Sequence, residues 1–139
     1  MPVNRQDPLV ALVLKSSDFI ESLNREPLRV KGLARGNYRL EIDGEPAGSF
    51  SGEQLASGIN LAELPTPMAR QAASVHALTL QHTAIHNTRW RQLQVPLQNN
   101  ESPELLNALK GLDELEAKLV RDQRAAAQPR THRFQLSPE

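Results

Sequence analysis

The chain has no cysteine among its 139 residues, and it has few aromatic residues. Without cysteine, disulfides, thiolate zinc sites and cysteine nucleophiles are all excluded, whereas the cellular compartment stays open. One tryptophan, one tyrosine and three phenylalanines are the only aromatic residues. We therefore expect an aliphatic core.

The chain also lacks net charge and long apolar runs. Sixteen basic residues balance sixteen acidic ones, so the charge pattern expected of a nucleic-acid partner or an anionic membrane surface is missing. No apolar run approaches the ~20 residues of a membrane span. The amino end, MPVNRQDP, has no signal pattern. Hence we expect no nucleic acid and no membrane span, and by default a cytoplasmic protein; a signal upstream of Met1 would change that location.

The first pattern predicts a helical lead-in over 8–24. Asp7-Pro8 has the form of an N-cap followed by proline at the first helical position. From Leu9 to Leu23 the apolar residues follow a spacing close to helical. The ALVL patch within this stretch could equally form a buried strand.

From Leu28 the apolar period changes to two, which is typical of strands. Tyr38, Leu40 and Ile42 would share one face of a half-solvated strand. Asp43-Gly44 is a hairpin signal that leads into a strand over Ala47–Phe50. We expect three short antiparallel strands forming a meander over about 28–51, with one apolar face that needs a helix to cover it.

Further along the chain, capping motifs predict where helices begin and end. Ser51 and Gln54 fit a capping box, and Gly58 would end that short helix, so that 28–62 holds the meander with its capped helix. Thr66-Pro67 begins a helix that can run to about Leu93, roughly 40 Å long.

A second long helix follows after a short break. Pro96 and Asn99-Asn100 would end the first helix, and Ser102-Pro103 would begin the next, which carries regularly spaced leucines. A short loop between helices predicts an antiparallel hairpin of about 66–94 and 103–127. In the tail, 128–139, Thr131–Leu136 could return as an edge strand. The expected fold is therefore α+β, in a single domain or part of one.

No catalytic residue is expected in this chain. Gly48–Gly52 looks like the Gly-x-Ser-x-Gly elbow of ester hydrolases, but its centre is Phe50. Ser51 is better explained as a helix cap, and neither Ser49 nor Ser51 is expected to be a nucleophile. Ser17-Asp18 lacks the preceding glycine of a Gly-Asp-Ser block.

The histidines raise the question of a metal site. His82 and His86 are four residues apart, so they share a helix face and are the candidates for metal ligands. His76 lies about 240° away around the helix, and His132 is distant in sequence. Because the pair lacks a third ligand, we expect no metal and no other cofactor.

Three further groups have competing interpretations. Arg89-Trp90-Arg91 could stack on a sugar or pair with a carboxylate. We favour the alternative, in which Trp90 packs in the core and the arginines pair with glutamates of the neighbouring helix. Asp43 could be a catalytic carboxylate, but a position before glycine in a tight turn explains it. Asn100-Glu101-Ser102 is a glycosylation sequon that nothing else in the sequence supports.

A series of small motifs in a fixed order carries a family resemblance. The chain resembles, over about residues 5–97, the region downstream of the catalytic part in bacterial SGNH/GDSL hydrolases, which are lysophospholipase-like esterases. The residues that carry the resemblance are Leu28-Arg29-Val30, Gly32-Leu33, Gly36-x-Tyr38-x-Leu40-x-Ile42-Asp43-Gly44, Gly48-x-Phe50, Gly58-Ile59-Asn60-Leu61-Ala62, Thr66-Pro67-Met68, Gln71-Ala72, Asn87 and Arg89-Trp90-Arg91.

The resemblance implies a three-layer α/β catalytic domain upstream of this region. In that family a serine from a Gly-Asp-Ser block attacks the ester, and an Asp-x-x-His block supplies the base and its orienting carboxylate. Neither block occurs here, and neither Asn60 nor Asn87 matches the family's oxyanion asparagine. Met1-Pro2-Val3 would then be a cut inside a longer frame, or a start codon beyond the catalytic domain.

Three functional expectations follow. The first is a non-catalytic carboxy-terminal region that packs beside its own upstream catalytic domain, shapes the substrate entrance and is inactive alone. The second is a stand-alone interaction module, in which the helical hairpin forms a homodimer. The third is a metal or carbohydrate module built on His82, His86 and Trp90.

Overall fold

The structure is a computed structural model that describes residue 3 and residues 6–139. Its fold is α+β, as the sequence predicts. In chain order the elements are α1 (Pro8–Ser16), α2 (Phe19–Ser22), β1 (Pro27–Leu28), β2 (Asn37–Ile42), β3 (Glu45–Ser51), α3 (Gly52–Ser57), β4 (Ile59–Asn60), a 3₁₀ turn (Leu61–Glu63), α4 (Pro67–Asn87), a π-helical segment (Thr88–Gln94), α5 (Val95–Leu97), α6 (Pro103–Ala126) and β5 (Phe134–Pro138).

The chain divides into two compact units. The first contains the residues up to Ala72 together with Arg130–Glu139, and the second contains Ala73–Pro129. Helix α4 begins in the first unit and continues through the second. The sheets therefore belong to the first unit, and the helical hairpin belongs to the second.

The lead-in is two helices rather than one. Asp7 caps α1 as expected, because its carboxylate accepts from the backbone of Leu9 and Val10. The helix ends at Ser16, since the Ser16 and Ser17 hydroxyls bond back to carbonyls of the preceding turn and Ser17 is extended. The leucines of α1 that the spacing predicts on one face are exposed in this unit.

The main sheet has three antiparallel strands in the order β3-β2-β5. Tyr38, Leu40 and Ile42 of β2 are buried, which confirms the alternation predicted for this strand. Its third strand comes from the tail, as the predicted edge strand. The expected strand at Leu28 does not join this sheet; as β1 it pairs with β4 in a separate two-stranded sheet. The reason is that β5 occupies the edge of β2 on that side.

The hairpin between β2 and β3 is closed by Asp43-Gly44, as predicted. Ile42 pairs with Glu45, and the two loop residues have φ values of 57° and 80°. Positive φ at both positions is the signature of the turn whose twist matches antiparallel strands. A bulge follows, where Leu40 pairs with Gly48 and Glu41 with Pro46.

The core of the first unit is aliphatic, in agreement with the composition. Its buried centre lies on β2, β3 and the 3₁₀ turn, and helix α3 adds the fully buried Leu55. The capping box of Ser51 and Gln54 begins α3, and Gly58 ends it at φ 107°. The buried core cluster consists of Leu40, Ile42, Ala47 and Leu61, covered by the partly buried Leu28, Phe50, Ile59, Leu64, Met68 and Leu136.

Two predicted caps begin the long helices. Thr66, fully buried, accepts from the backbone N–H of Ala69, and Ser102 accepts from the backbone N–H of Leu105. The prediction that Pro96 breaks the first helix is wrong. The chain stays helical to Leu97, because the π-helical segment widens the turn before the proline.

The π-helical segment has a physical cause in Pro96. Proline offers no N–H, and its ring would clash with the carbonyl of Gln92 in a regular α-helix. Instead the N–H of Val95 bonds to the carbonyl of Trp90, five residues back. The wider turn thus accommodates the proline without ending the helix.

Candidate functional site

The seam of the helical hairpin is partly polar. From Leu105 onward, the α6 residues that face α4 alternate steps of four and three, which is coiled-coil spacing. Glu116 and Gln123 occupy two of these positions. Gln123 donates to the Thr79 hydroxyl on α4 at 2.5 Å. Polar side chains thus fix the register at positions where leucine would be expected.

Glu116 lies between the two histidines that the sequence singled out. Its Oε2 is 3.3 Å from Nδ1 of His86 and 3.8 Å from Nε2 of His82. The imidazole rings stack with centroids 6.3 Å apart. Because the Glu116 side chain is only 16% exposed, and its Oε1 is buried without a partner in the described part of the chain, this carboxylate is poorly solvated.

The cluster does not amount to a metal centre. In the residues that the structure describes, no group of three or more histidine, cysteine, aspartate or glutamate side chains is arranged to hold a metal ion. His76, on the same helix, is exposed, and His132 belongs to the first unit. The cluster therefore acts as a polar contact between helices.

Arg89 forms the next contact along the seam. Its guanidinium binds the Asp113 carboxylate through Nε and through Nη2, the latter at 3.1 Å, and its Nη1 donates to the Gln94 amide oxygen at 2.6 Å. The hydrogen bond lowers the pKa of Asp113 and raises the pKa of Arg89. The sequence predicted that the arginines pair with glutamates of the neighbouring helix; Arg89 pairs with an aspartate of that helix instead, and the Arg91 guanidinium lies beside the Trp90 ring.

Trp90 does not pack in the core, contrary to the prediction. Its side chain is 46% exposed, and the Arg91 guanidinium lies 5.5 Å from its ring centroid. The physical reason is the position of Trp90 on the helix. Arg89 occupies the seam, and Trp90, the next residue, points about 100° away from it around the helix axis. An exposed tryptophan beside two arginines is therefore a surface feature of the hairpin.

A cleft of about 400 Å³ lies at the tip of the hairpin, between the π-helical segment and the start of α6. Its walls combine apolar side chains with the Arg89–Asp113 pair and two glutamine amides. We call it the tip cleft. Its lining residues are Arg89, Trp90, Gln94, Val95, Gln98, Glu101, Leu105, Leu106, Leu109, Lys110 and Asp113.

In the first unit, Asp43 joins the β2–β3 turn to the beginning of β5. Its Oδ2 lies 2.7 Å from Nδ1 of His132, and its Oδ1 accepts from the backbone N–H of Arg133 at 2.8 Å. The Asp43 N–H in turn donates to the Arg133 carbonyl. The His132 hydrogen bond, followed by the Arg133 N–H, holds the pKa of Asp43 below its usual range.

The serines considered as nucleophiles are engaged in structural contacts. The Ser49 hydroxyl donates to Oε1 of Glu139 at 2.7 Å, and the Ser51 hydroxyl accepts from the Gln54 N–H at 3.1 Å. The Ser17 hydroxyl bonds to the Val13 carbonyl. Each therefore has a local role in the fold.

Asn60 is a hydrogen-bonding centre whose role the sequence did not reveal. Its Oδ1 accepts from the backbone N–H groups of Glu26 and Ala62, and its Nδ2 donates to the carbonyl of Asn24. One amide thus connects segments that are 34 to 36 residues apart. The local signal was the position of asparagine before a turn, whereas the distant partners have no sequence signature.

Sequence reasoning also missed the partners along the hairpin seam. Glu116, Asp113 and Gln94 complete the contacts of His82, His86 and Arg89. One signal was available: Glu116 falls where the leucine spacing of α6 predicts an apolar residue.

None of the helices that the structure describes is both long and apolar enough to cross a membrane.

The comparisons with known proteins give one structural neighbour. No family model matches the chain, and no curated protein matches it. A gut microbial diltiazem-metabolizing enzyme has a similar structure, with a TM-score of 0.72 and 23% sequence identity. The similarity covers 94% of this chain and 37% of that enzyme's chain. At this identity the similarity establishes a shared fold.

Proposed function

We propose that this chain is the non-catalytic carboxy-terminal region of an SGNH/GDSL-type ester hydrolase, and that it works packed beside a catalytic domain. The observation that carries the proposal is the coverage: nearly all of this fold corresponds to 37% of a solved enzyme's chain. In our proposal this fold has the same standing here, as the smaller part of a longer enzyme. The motif order described above supplies the family.

Several of the residues behind the resemblance lie in the first unit and have structural roles there, which supports a scaffold rather than a site of chemistry. A Cβ at Gly48 would meet the Phe50 ring at 2.8 Å, so the ring packs directly over the glycine and would have to shift to accept a larger residue. Gly44 has the positive φ of the turn, and Asn60 connects distant segments. These residues specify a fold on which a neighbouring domain can rest.

An exposed apolar stripe on α1 supports contact with another domain. Leu9, Leu12 and Val13 lie three and four residues apart and are each more than half exposed. A solvated stripe of this kind is more often covered by a partner than left in water. In our proposal the catalytic domain covers it.

The first experiment is an activity assay on the purified full chain. We expect no hydrolysis of p-nitrophenyl esters and no labelling by a serine-directed fluorophosphonate, because the serines considered have structural contacts. The Ser49→Ala and Ser51→Ala variants are the matched controls. A serine-dependent rate that either variant abolishes would overturn the proposal.

The second experiment is an intact-mass measurement of the native protein, captured from its source cells with an antibody to this chain. A species well above 15.4 kDa that contains an upstream Gly-Asp-Ser peptide is the expected result. A species of 15.4 kDa alone, with no bound hydrolase, would contradict it.

The alternative function is a dimerisation module, and one observation favours it. Leu80 and Leu106 of the hairpin are more than half exposed. Against it, Leu105 and Leu119 are already buried within the hairpin, which leaves less apolar surface for a second copy. Sedimentation velocity on the full chain distinguishes a discrete dimer from a monomer.

A further inference from the structure

We propose that the tip cleft binds a small uncharged molecule with an aromatic or flat apolar body. The inference concerns the second unit alone and does not depend on the proposed function. It rests on three features of the cleft. Its walls are apolar and enclose a volume that suits a small ligand, these walls are exposed to solvent, and its charged residues balance and pair with one another.

The volume and walls of the cleft suit a small ligand. About 400 Å³ lies within the ~300–1,000 Å³ typical of ligand pockets. Three clefts of the first unit have similar volumes, about 420 to 480 Å³, so the walls and not the volume distinguish the tip cleft. Trp90 offers an indole face, and Val95, Leu106 and Leu109 supply aliphatic walls. A flat apolar ligand could stack on the indole and displace water from the aliphatic side.

The walls are exposed more than such residues usually are. Trp90 is 46% exposed, Val95 44% and Leu106 52%, and all three line the same cleft. Isolated exposed apolar residues are ordinary, whereas several around one concavity mark a binding surface. A bound apolar molecule would cover all three together.

The charges of the cleft argue against an ionic ligand. Among the lining residues Arg89 and Lys110 balance Glu101 and Asp113, while Arg91, which does not line the cleft, lies 5.5 Å from the Trp90 ring centroid. Three of the five N–H donors of the Arg89 guanidinium are already committed, because Asp113 accepts from Nε and Nη2 while Gln94 accepts from Nη1, and the Asp113 carboxylate beside it repels a second anion. An uncharged ligand leaves these pairs intact, and the Gln98 amide can both donate to it and accept from it.

The backbone explains why the cleft exists at this point. The π-helical segment contains both Trp90 and Gln94, and the Trp90 carbonyl accepts the five-residue bond from Val95. Segments of this kind recur at functional sites, because the widened turn displaces side chains from their α-helical positions. Trp90 and Val95, the two residues joined by this bond, both line the cleft.

The test uses Trp90 as its own reporter, because it is the only tryptophan of the chain. The full chain is titrated with the uncharged dye N-phenylnaphthylamine, and tryptophan emission and energy transfer to the dye are followed. We expect saturable binding at one site, with quenching of the Trp90 emission. Anionic anilinonaphthalene sulfonate is the comparison probe and is expected to bind at least about tenfold more weakly, a difference of ~1.4 kcal/mol.

Two variants on the same hairpin locate the site. Leu106→Gln removes a cleft wall and is expected to weaken dye binding about tenfold. Leu80→Gln is the matched control, because Leu80 is similarly exposed but does not line the cleft. Equal losses in both variants, or equal affinity for both dyes, would show general adsorption to apolar surface and overturn the proposal.

A second measurement protects the test from variants that fold poorly. In the unmodified chain, dye-induced amide shifts in a ¹⁵N–¹H correlation spectrum are expected to concentrate on residues 89–113. They should include the indole N–H of Trp90. Shifts centred elsewhere, or no shifts at saturating dye, would overturn the proposal.

Discussion

Nδ1 of His132 lies 2.7 Å from Oδ2 of Asp43, and this contact ties the last strand to the β2–β3 turn. Because an ionised carboxylate can only accept, the pair places the proton on Nδ1 of His132. The backbone of Arg133 reinforces the contact through two hydrogen bonds to Asp43. A single aspartate thereby serves both the left-handed turn and the docking of β5.

Asp43 predicts an acid sensitivity of the first unit. Its pKa is lowered in the folded state, by the His132 hydrogen bond first and by the Arg133 N–H second. The stabilisation is therefore present above the unfolded-state pKa of about 3.9 and is lost as the pH falls through the folded-state pKa. A ¹³C carboxyl titration should show the Asp43 pKa rising toward its usual value in the His132→Asn variant.

The matched control for the acid sensitivity is Asp43→Asn. Asparagine tolerates the positive φ of 57° but does not titrate. Hydrogen exchange of the β2 amides should respond less to acid in this variant than in the unmodified chain. An equal response would mean that other groups cause the acid sensitivity. Asp113 and Glu104, whose pKa values are also lowered, belong to the second unit and do not enter this readout.

Two glycine-to-alanine substitutions should change the stability of the chain in opposite directions. Gly44→Ala places a Cβ at φ 80°, which costs about 1–2 kcal/mol although no atom lies within 4 Å of that Cβ. Gly111→Ala lies within α6, where a Cβ also has open space, and should stabilise by about 0.5–1 kcal/mol. Hydrogen exchange resolves the two units separately, with β2 amides reporting on the first and α6 amides on the second. A loss of stability in Gly111→Ala would contradict this account.

Asn60→Ala should destabilise the first unit by about 2 kcal/mol or more, because two backbone N–H groups and one carbonyl lose their partner. Asn60→Asp keeps the acceptor for Glu26 and Ala62 and loses only the donor to Asn24, so its loss should be smaller. Chemical denaturation followed by circular dichroism compares the three proteins. Equal stability of the alanine variant and the unmodified chain would show that water replaces these bonds.

Glu116→Leu should stabilise the hairpin by about 1 kcal/mol or more, because it removes a poorly solvated carboxylate from a seam position. Its Oε1 has no partner within the described residues, and the substitution removes only the contacts of Oε2 with His82 and His86, whose side chains are 33% and 57% exposed and can be hydrated. Glu114→Leu is the control, since Glu114 is exposed on the same helix and should give no gain. Hydrogen exchange of α6 measures both. A less stable Glu116→Leu variant would show that the contacts with His82 and His86 outweigh the burial cost.

Much of the local structure could be predicted from the sequence, because it depends on neighbouring residues. The caps at Asp7, Ser51 and Ser102, the Asp43-Gly44 turn and the buried face of β2 all follow from short-range rules. The α+β class follows from the order of these elements. Each signal lies within a few residues of the structure that it specifies.

Contacts between distant segments could not be predicted in the same way. The pairing of β1 with β4, the three hydrogen bonds of Asp43 and the three of Asn60 depend on which segments meet after the chain folds. The exposure of Trp90 depends on the seam position that Arg89 occupies. The tip cleft likewise requires the π-helical segment to face the first turns of α6.

The sequence by itself determined the caps of four helices, the β2–β3 turn and the aliphatic character of the core, because capping, turn geometry and side-chain periodicity act over one or two turns of chain. Only the tertiary structure decided which strand completed the sheet, that Glu116 stood between His82 and His86, and that Trp90 lined a cleft. The physical reason is that hydrogen bonds and burial depend on distance in space. Residues 30 to 89 positions apart in the chain have no local sequence pattern from which their contact could be predicted.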